Sequence, residues 1–148
     1  MIELNFFNDY SDKLSYNEDL IKNLICKILD SEDNTEATIS VIFSKQNNLN
    51  KLKLEFFSLN HDTDVIAFNL EDKDSSLDGE VYISIDDVLL NAKKYNQTFN
   101  NECKRIIIHG VLHLIGYEDD TSNDKKIMNN IEEKFLKIDN RELIKLSL

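Results

Sequence analysis

The chain has 148 residues, 41% hydrophobic and 30% charged, and these proportions are typical of a globular protein large enough to bury a core. No proline-rich or glycine–serine linker interrupts it, so a single domain over residues 1–148 is expected. The formal net charge of −11 argues against non-specific coating of a polyanion. No apolar run reaches the roughly 18 residues of a membrane span, so no membrane partner is expected. DNA is not expected as a partner either.

Hydrophobic periodicity and turn residues predict an α+β fold, with a small mixed β-sheet and helices packed on it. In chain order the expected elements are a helix (16–30), a strand (36–43), a helix (46–56), a strand (65–68), a polar connection (71–79), a strand (81–85), a helix (87–96), a helix (101–115) and a last helix ending near residue 138.

The helix ends carry residues that typically cap them. The expected N-caps are Ser15 with Glu18, Asp86, and Thr121 with Asp124. The last helix is expected to bury one face, formed by Ile127, Ile131, Phe135 and Ile138.

The helix at 101–115 is apolar on nearly every side, which predicts a central buried helix. Gly110 lies inside it and costs about 1 kcal/mol relative to alanine. Another backbone or a ligand is therefore expected to come close to this position.

Two histidines in this helix form the main chemical feature of the chain. His109 and His113 differ by about 40° of net rotation and about 6 Å of rise, so both leave the same face and can bind one metal ion. Gly116 permits a left-handed turn that returns a carboxylate to the same ion. Three protein ligands leave a coordination position for water, as in catalytic zinc sites. Gly110 stands where a zinc peptidase of the HExxH type has its glutamate, which excludes that mechanism.

The segment from His109 to Tyr117 (HGVLHLIGY), followed by acidic residues, resembles the HGxLHLxGYDH signature of the YbeY family of bacterial endoribonucleases. Residues 63–68 resemble the family's PTDVLSF segment and residues 78–85 its GDIxIS strand, and the similarity extends over about residues 45–137. It implies an α+β fold, one bound Zn²⁺ and single-strand-specific cleavage of RNA. It further implies maturation of the 3′ end of 16S ribosomal RNA and ribosome quality control, with ribosomal RNA and the small subunit and its basic proteins as partners.

The chain departs from that family pattern at two positions that matter. Asp119 stands where the family places its third histidine, and a carboxylate favours harder ions such as Mn²⁺ or Fe²⁺ as alternatives to zinc. Asp119 is ranked first as the third ligand because of this position, although Glu118 or Asp120 could compete. Phe57 stands where the family commonly has an arginine. That role is either absent or taken by a base such as Lys51 or Lys53.

Other candidates for the site are open to two interpretations each. His61 is a solvated turn residue or a substrate contact, and Asp64 closes a turn or accepts the second N–H of a histidine ligand. Lys104 and Arg105, with Lys93 and Lys94, are phosphate contacts or solvated bases. No residue is assigned as general base.

The expected function is that of a metal-dependent endoribonuclease. Two alternatives use the same residues: a non-catalytic ribosome assembly factor with a structural metal site, and an iron oxygenase with two histidines and one carboxylate. The cysteines, Cys26 and Cys103, form no CxxC motif, and residues 1–20 contain no signal-peptide core, so a cytoplasmic location is expected. Residues 1–80 carry 17 acidic and 7 basic side chains, which suits binding to basic ribosomal proteins.

Overall fold

A computed structural model describes residues 1–57, 64–70 and 76–147. The strands in these residues are β1 (Ile2–Asn8), β2 (Leu14–Tyr16), β3 (Ala37–Ser44), β4 (Val65–Asn69), β5 (Leu77–Ser84) and β6 (Ile144–Leu146). The helices are α1 (Glu18–Ser31), α2 (Gln46–Phe57), α3 (Ile85–Lys94), α4 (Phe99–Leu114) and α5 (Ser122–Leu136). Within the described part of the chain, no helix combines the length and the apolarity that crossing a bilayer requires.

The main sheet has the strand order β1-β3-β5-β4, in which β1, β3 and β5 are parallel and β4 is antiparallel to β5. Parallel neighbours need a crossover connection, and α1 lies between β1 and β3 in the chain. A second sheet pairs β2 with β6 in antiparallel orientation. The predicted α+β class, a mixed sheet with packed helices, is confirmed.

Helix α4 is the central element, as its sequence predicts. It contacts β4 and β5 of the main sheet as well as α1, α3 and α5. Ile107, Ile108, Val111 and Leu112 are fully buried in these contacts. The element that carries both histidines is therefore held on several sides.

Two glycines allow α4 to lie close to the sheet. A Cβ atom at Gly110 would be 2.6 Å from Cγ1 of Val81 and 3.1 Å from Cγ2 of Val65, and one at Gly79 would be 2.6 Å from Cδ2 of Leu114. The expectation of a nearby backbone or ligand at Gly110 is wrong. Valine side chains of the sheet fill that space, so the glycine serves helix–sheet packing.

Strand β5 begins earlier than predicted, at Leu77 instead of residue 81. Asp78 and Glu80 made this stretch resemble a polar connection, but they alternate with the buried Leu77, Gly79 and Val81. Such alternation is what a strand with one covered face requires. Strands β1, β2 and β6 were not predicted. Strand β1 lies at the edge of the main sheet, and β2 and β6 have three residues each. Strands β2 and β6 pair with each other although about 130 residues separate them in the sequence.

Two of the three predicted N-caps are wrong. Ser15 lies in β2 opposite Lys145, and Asn17 caps α1 by accepting a hydrogen bond from the amide of Leu20. Ser84 caps α3 in place of Asp86. Thr121 is confirmed, since its side chain accepts from the amide of Asp124.

The predicted buried face of the last helix is half right: Phe135 is buried and Ile131 is partly buried against the core, but the other two residues are not. Ile127 and Ile138 are each 42% exposed. The residues of α5 that are buried are Met128, Glu132, Phe135 and Leu136. The helix is rotated so that a glutamate, in place of an isoleucine, faces α4.

We expect Gly110→Ala to lower the free energy of unfolding by about 1–2 kcal/mol. Overpacking costs about 1–3 kcal/mol, and the better helix propensity of alanine returns up to about 1 kcal/mol. Adding Val81→Ala should recover part of this loss, because it removes the atom nearest to the new methyl group. Urea denaturation of the wild type, both single variants and the double variant measures the coupling. Additive losses would contradict the packing role of Gly110.

Candidate metal centre

His109 and His113 leave α4 one turn apart, and their Nε2 atoms are 3.0 Å from each other. The two side chains are 23% and 28% exposed, so the pair lies where the buried helix meets solvent. Their placement on one face, predicted from the spacing, is confirmed.

The chain reverses at the carboxyl end of α4 through Gly116, whose φ is +108°. The amide of Gly116 donates to the carbonyl of His113 at 3.1 Å, and the amide of Tyr117 donates to the carbonyl of Leu112 at 3.0 Å. These two bonds define a Schellman motif, which requires a left-handed residue at this point. The predicted left-handed turn is confirmed, and it directs the following segment back toward the histidines.

The carboxylate that returns is that of Asp119. Its Oδ2 lies 3.4 Å from Nε2 of His109 and 3.7 Å from Nε2 of His113. Tetrahedral ligands about 2.0–2.1 Å from one zinc ion are about 3.3 Å apart, close to the three observed separations. In residues 1–57, 64–70 and 76–147, these three residues form the only His/Cys/Asp/Glu group compact enough to hold an ion. Neither Glu118 nor Asp120 belongs to it.

Both imidazole rings are fixed by a hydrogen bond at Nδ1. His113 donates to the carbonyl of Tyr117 at 3.0 Å, and His109 lies 2.6 Å from Oε2 of Glu132. A carbonyl or carboxylate oxygen only accepts, so each neutral ring carries its proton on Nδ1 and a lone pair on Nε2. Two lone pairs facing each other at 3.0 Å repel unless a cation or a proton lies between them. The donor set therefore fits a divalent ion such as Zn²⁺.

The charges around His109 are mostly negative. Burial lowers the pKa of His109, but the hydrogen bond and charge of Glu132 raise it, and the charges of Asp119 and Asp64 add to that increase. The net pKa lies above the ordinary value of 6.5. The site thus favours a positive charge on or beside this imidazole.

Glu132 was not predicted as a site residue, although it makes the shortest contact to either histidine. It is 2% exposed and lies on the inner face of α5. Its other oxygen, Oε1, is 3.5 Å from Nη1 of Arg105. A glutamate in an apolar helical stripe is the signal that could have found it, since such a buried carboxylate needs partners.

The remaining predicted residues are distributed unevenly around the centre. Arg105 contacts carboxylates of Glu102, Glu132 and Glu133 and is 25% exposed. Lys104 is 3% exposed and donates to the carbonyl of Asp139, so its ammonium group is not offered to a phosphate. His61 lies outside the described residues, as does the side chain of Phe57.

Asp64 is near the centre but holds neither histidine directly. Its Oδ2 accepts a hydrogen bond from Nδ2 of Asn91 at 3.2 Å, and its backbone carbonyl accepts from the amide of Ser84 at 2.9 Å. The Nδ1 atoms of the histidines are engaged by Glu132 and Tyr117 instead. Asp64 acts on His109 through its charge.

A cleft of about 340 Å³ opens beside His113. Strand β4 forms one wall and the turn after α4 forms another, and the lining residues are Lys53, Val65, Ile66, Ala67, His113, Gly116, Tyr117 and Glu118. Of the two lysines considered for the missing arginine's role, Lys53 is the one that lines this cleft.

Comparison with known proteins identifies the family. The family model described as Endoribonuclease YbeY matches residues 6–139. The chain belongs to the YbeY family. This match confirms the motif resemblance over most of the chain, and it confirms, at the level of the family, the expectation of an endoribonuclease.

Individual YbeY proteins align over nearly their whole length. A protein named Endoribonuclease YbeY from Christiangramia forsetii is 36% identical over 132 residues, which are 89% of this chain and 91% of that protein. Another of the same name, from Karelsulcia muelleri, is 38% identical over 122 residues, 82% of this chain and 85% of that protein. The solution structure of TM1509 from Thermotoga maritima has 27% sequence identity and a TM-score of 0.58, and the match covers 92% of this chain and 87% of that one.

We expect this YbeY protein to bind one divalent ion per chain. Losing a hydrogen-bond partner of a ligand weakens metal binding about 10–100-fold, and Asp119→Asn, which alters a ligand itself, should weaken it more. Removing a ligand charge is the physical reason. Elemental analysis and competition with a chelating dye measure both quantities. Glu118→Gln and Asp120→Asn are matched controls and should bind metal like the wild type. An equal loss in either control would move the third ligand to that residue.

Metal affinity should depend on pH through His109. The ion needs the neutral imidazole, and the raised pKa keeps the proton in place to a higher pH than in a free histidine. The affinity should therefore continue to rise through neutral pH, measured by titration from about pH 5 to about pH 9. An affinity that is already constant from about pH 6 upward would contradict the raised pKa.

Proposed function

We propose that the protein is a metal-dependent endoribonuclease that cuts single-stranded RNA at the centre formed by His109, His113 and Asp119. The observation that carries the proposal is the convergence of these three ligands beside an open cleft, in a chain of the YbeY family. A divalent ion there would supply Lewis acidity, which polarises a phosphoryl oxygen and stabilises charge in the transition state.

Zinc is the ion we propose first, because the three donors are two imidazoles and a carboxylate at separations suited to it. Mn²⁺ and Fe²⁺ are the alternatives to zinc, since the carboxylate oxygen of Asp119 favours harder ions. The solvent exposure of the three ligand side chains argues against a purely structural metal site. The ligand side chains are 23%, 28% and 40% exposed, whereas structural zinc sites are closed by four protein ligands.

The cleft beside His113 is the proposed substrate site. Val65, Ile66 and Ala67 form an apolar wall suited to the face of a nucleobase, and Lys53 supplies a cation for a phosphate. A base can enter such a cleft only when it is unstacked and unpaired. This requirement supports a preference for single-stranded RNA.

The proposed substrate in the cell is the precursor of 16S ribosomal RNA at its 3′ end, with a role in ribosome quality control. The net charge of −11 makes tight binding to free RNA unfavourable, because few phosphates are neutralised. We therefore propose that docking on the small ribosomal subunit or its basic proteins supplies the local concentration of RNA. The excess of acidic residues in positions 1–80 supports this proposal, because it suits contact with basic proteins.

The test compares three RNA substrates under the same metal conditions: a single strand, its duplex, and the same sequence within immature small subunits. We expect no cleavage of the duplex, slow cleavage of the naked strand, and faster cleavage within the particle. His113→Ala should reduce all rates to background, since it removes a ligand. The product ends identify the nucleophile, because a 2′,3′-cyclic phosphate excludes direct attack by water.

Two results would contradict parts of this proposal separately. Full activity of the His113→Ala variant would show that the metal centre takes no part in the reaction. The proposed dependence on a partner would be contradicted if naked and particle-bound RNA were cleaved equally fast and the affinity for naked RNA fell steeply with salt. Affinity for a single strand changes by about 0.7 log units per contacted phosphate per log unit of salt, so the slope counts the contacts.

A further inference from the structure

We propose that Glu132, held by Arg105, is the positioning residue that fixes His109 as a metal ligand. The two histidines of the centre are supported differently, and this difference is the starting observation. His113 donates its Nδ1 proton to an uncharged carbonyl at 3.0 Å, whereas His109 is 2.6 Å from a carboxylate oxygen. Only His109 is therefore supported by a formal negative charge.

Glu132 is buried, so its contact with His109 has an energetic reason. A carboxylate that is 2% exposed is costly unless its oxygens have charged or hydrogen-bonding partners. Oε2 faces Nδ1 of His109, and Oε1 faces Nη1 of Arg105 at 3.5 Å. Each oxygen thus has one partner, and the pairing holds the carboxylate in one orientation.

Arg105 offsets part of the negative charge of Glu132 without displacing the histidine. Its closest contact is to Glu133, at 2.6 Å from Nη2, while the contact to Glu132 is longer. Its Nε is 3.8 Å from Glu102, so three acidic side chains share one guanidinium group. Oε2 of Glu132 consequently stays directed at His109.

The consequence for His109 is a fixed tautomer and a fixed ring plane. The proton stays on Nδ1, Nε2 points toward Nε2 of His113 and Oδ2 of Asp119, and the nearby negative charge makes Nε2 a stronger electron donor. Arg105 therefore acts on the centre through Glu132. This inference rests on the metal centre of the proposed function, and its test needs no RNA.

The experiment compares Glu132→Gln with Glu133→Gln in the full-length protein, with Co²⁺ and Zn²⁺ as the metals. Glu132→Gln keeps the shape of the side chain and removes its charge, so metal affinity should fall about 10–100-fold and the visible spectrum of bound Co²⁺ should shift. Glu133→Gln is the matched control. Glu133 is also paired with Arg105, but its side chain is 51% exposed. The metal affinity and the Co²⁺ spectrum of this variant should therefore stay as in the wild type.

A merely structural role of Glu132 would give a different result: lower thermal stability of the metal-free protein, with unchanged Co²⁺ affinity and spectrum. That outcome overturns the inference and leaves the metal centre intact. A wild-type protein that binds neither metal overturns both.

A second measurement needs no variant of Glu132 and remains decisive if Glu132→Gln does not fold. The chain has three histidines, so ¹⁵N-histidine labelling with zinc bound gives few imidazole signals, and His61→Asn identifies those of His61. We expect a protonated Nδ1 on His109, shifted downfield by the carboxylate, and zinc on Nε2. A proton on Nε2 of His109 would overturn the inference.

Discussion

The close packing of α4 on the main sheet is the constraint on which the rest of the structure depends. At Gly110 the helix backbone comes so near to Val81 that a single added carbon would lie 2.6 Å from it. Val81 is fully buried, and its β-branched side chain has little freedom to move. The position and rotation of α4 are therefore fixed by the sheet, and with them the direction in which His109 and His113 leave the helix.

The metal centre combines this rigid helix with two further elements. The Schellman turn at Gly116 supplies Asp119, and α5 supplies the carboxylate beside His109. Asp119 of the centre and Glu118, which lines the cleft, carry negative charges that would repel a polyanionic substrate. A divalent cation held by His109, His113 and Asp119 would offset part of this negative charge at the point where a phosphate approaches.

The predictions from sequence succeeded where one helix or one turn carried the information. The spacing of His109 and His113, the role of Gly116 and the burial of α4 all follow from helix geometry and local backbone preference. Glu132 could not be found in this way. It is 23 residues from His109, and apolarity favoured placing Ile127 and Ile138 inward. The actual rotation of α5 places Glu132 against His109 and Arg105, and periodicity does not report such tertiary contacts.

The pairing of β2 with β6 has a consequence for the order in which the molecule is made. Residues 14–16 are synthesised well before their partners, residues 144–146. Glu132 likewise follows both histidines in the chain. A growing polypeptide thus presents His109 before α5 supplies the carboxylate that orients its imidazole. Any ion bound in this geometry would accordingly be loaded only after α5 has been synthesised and has packed on α4.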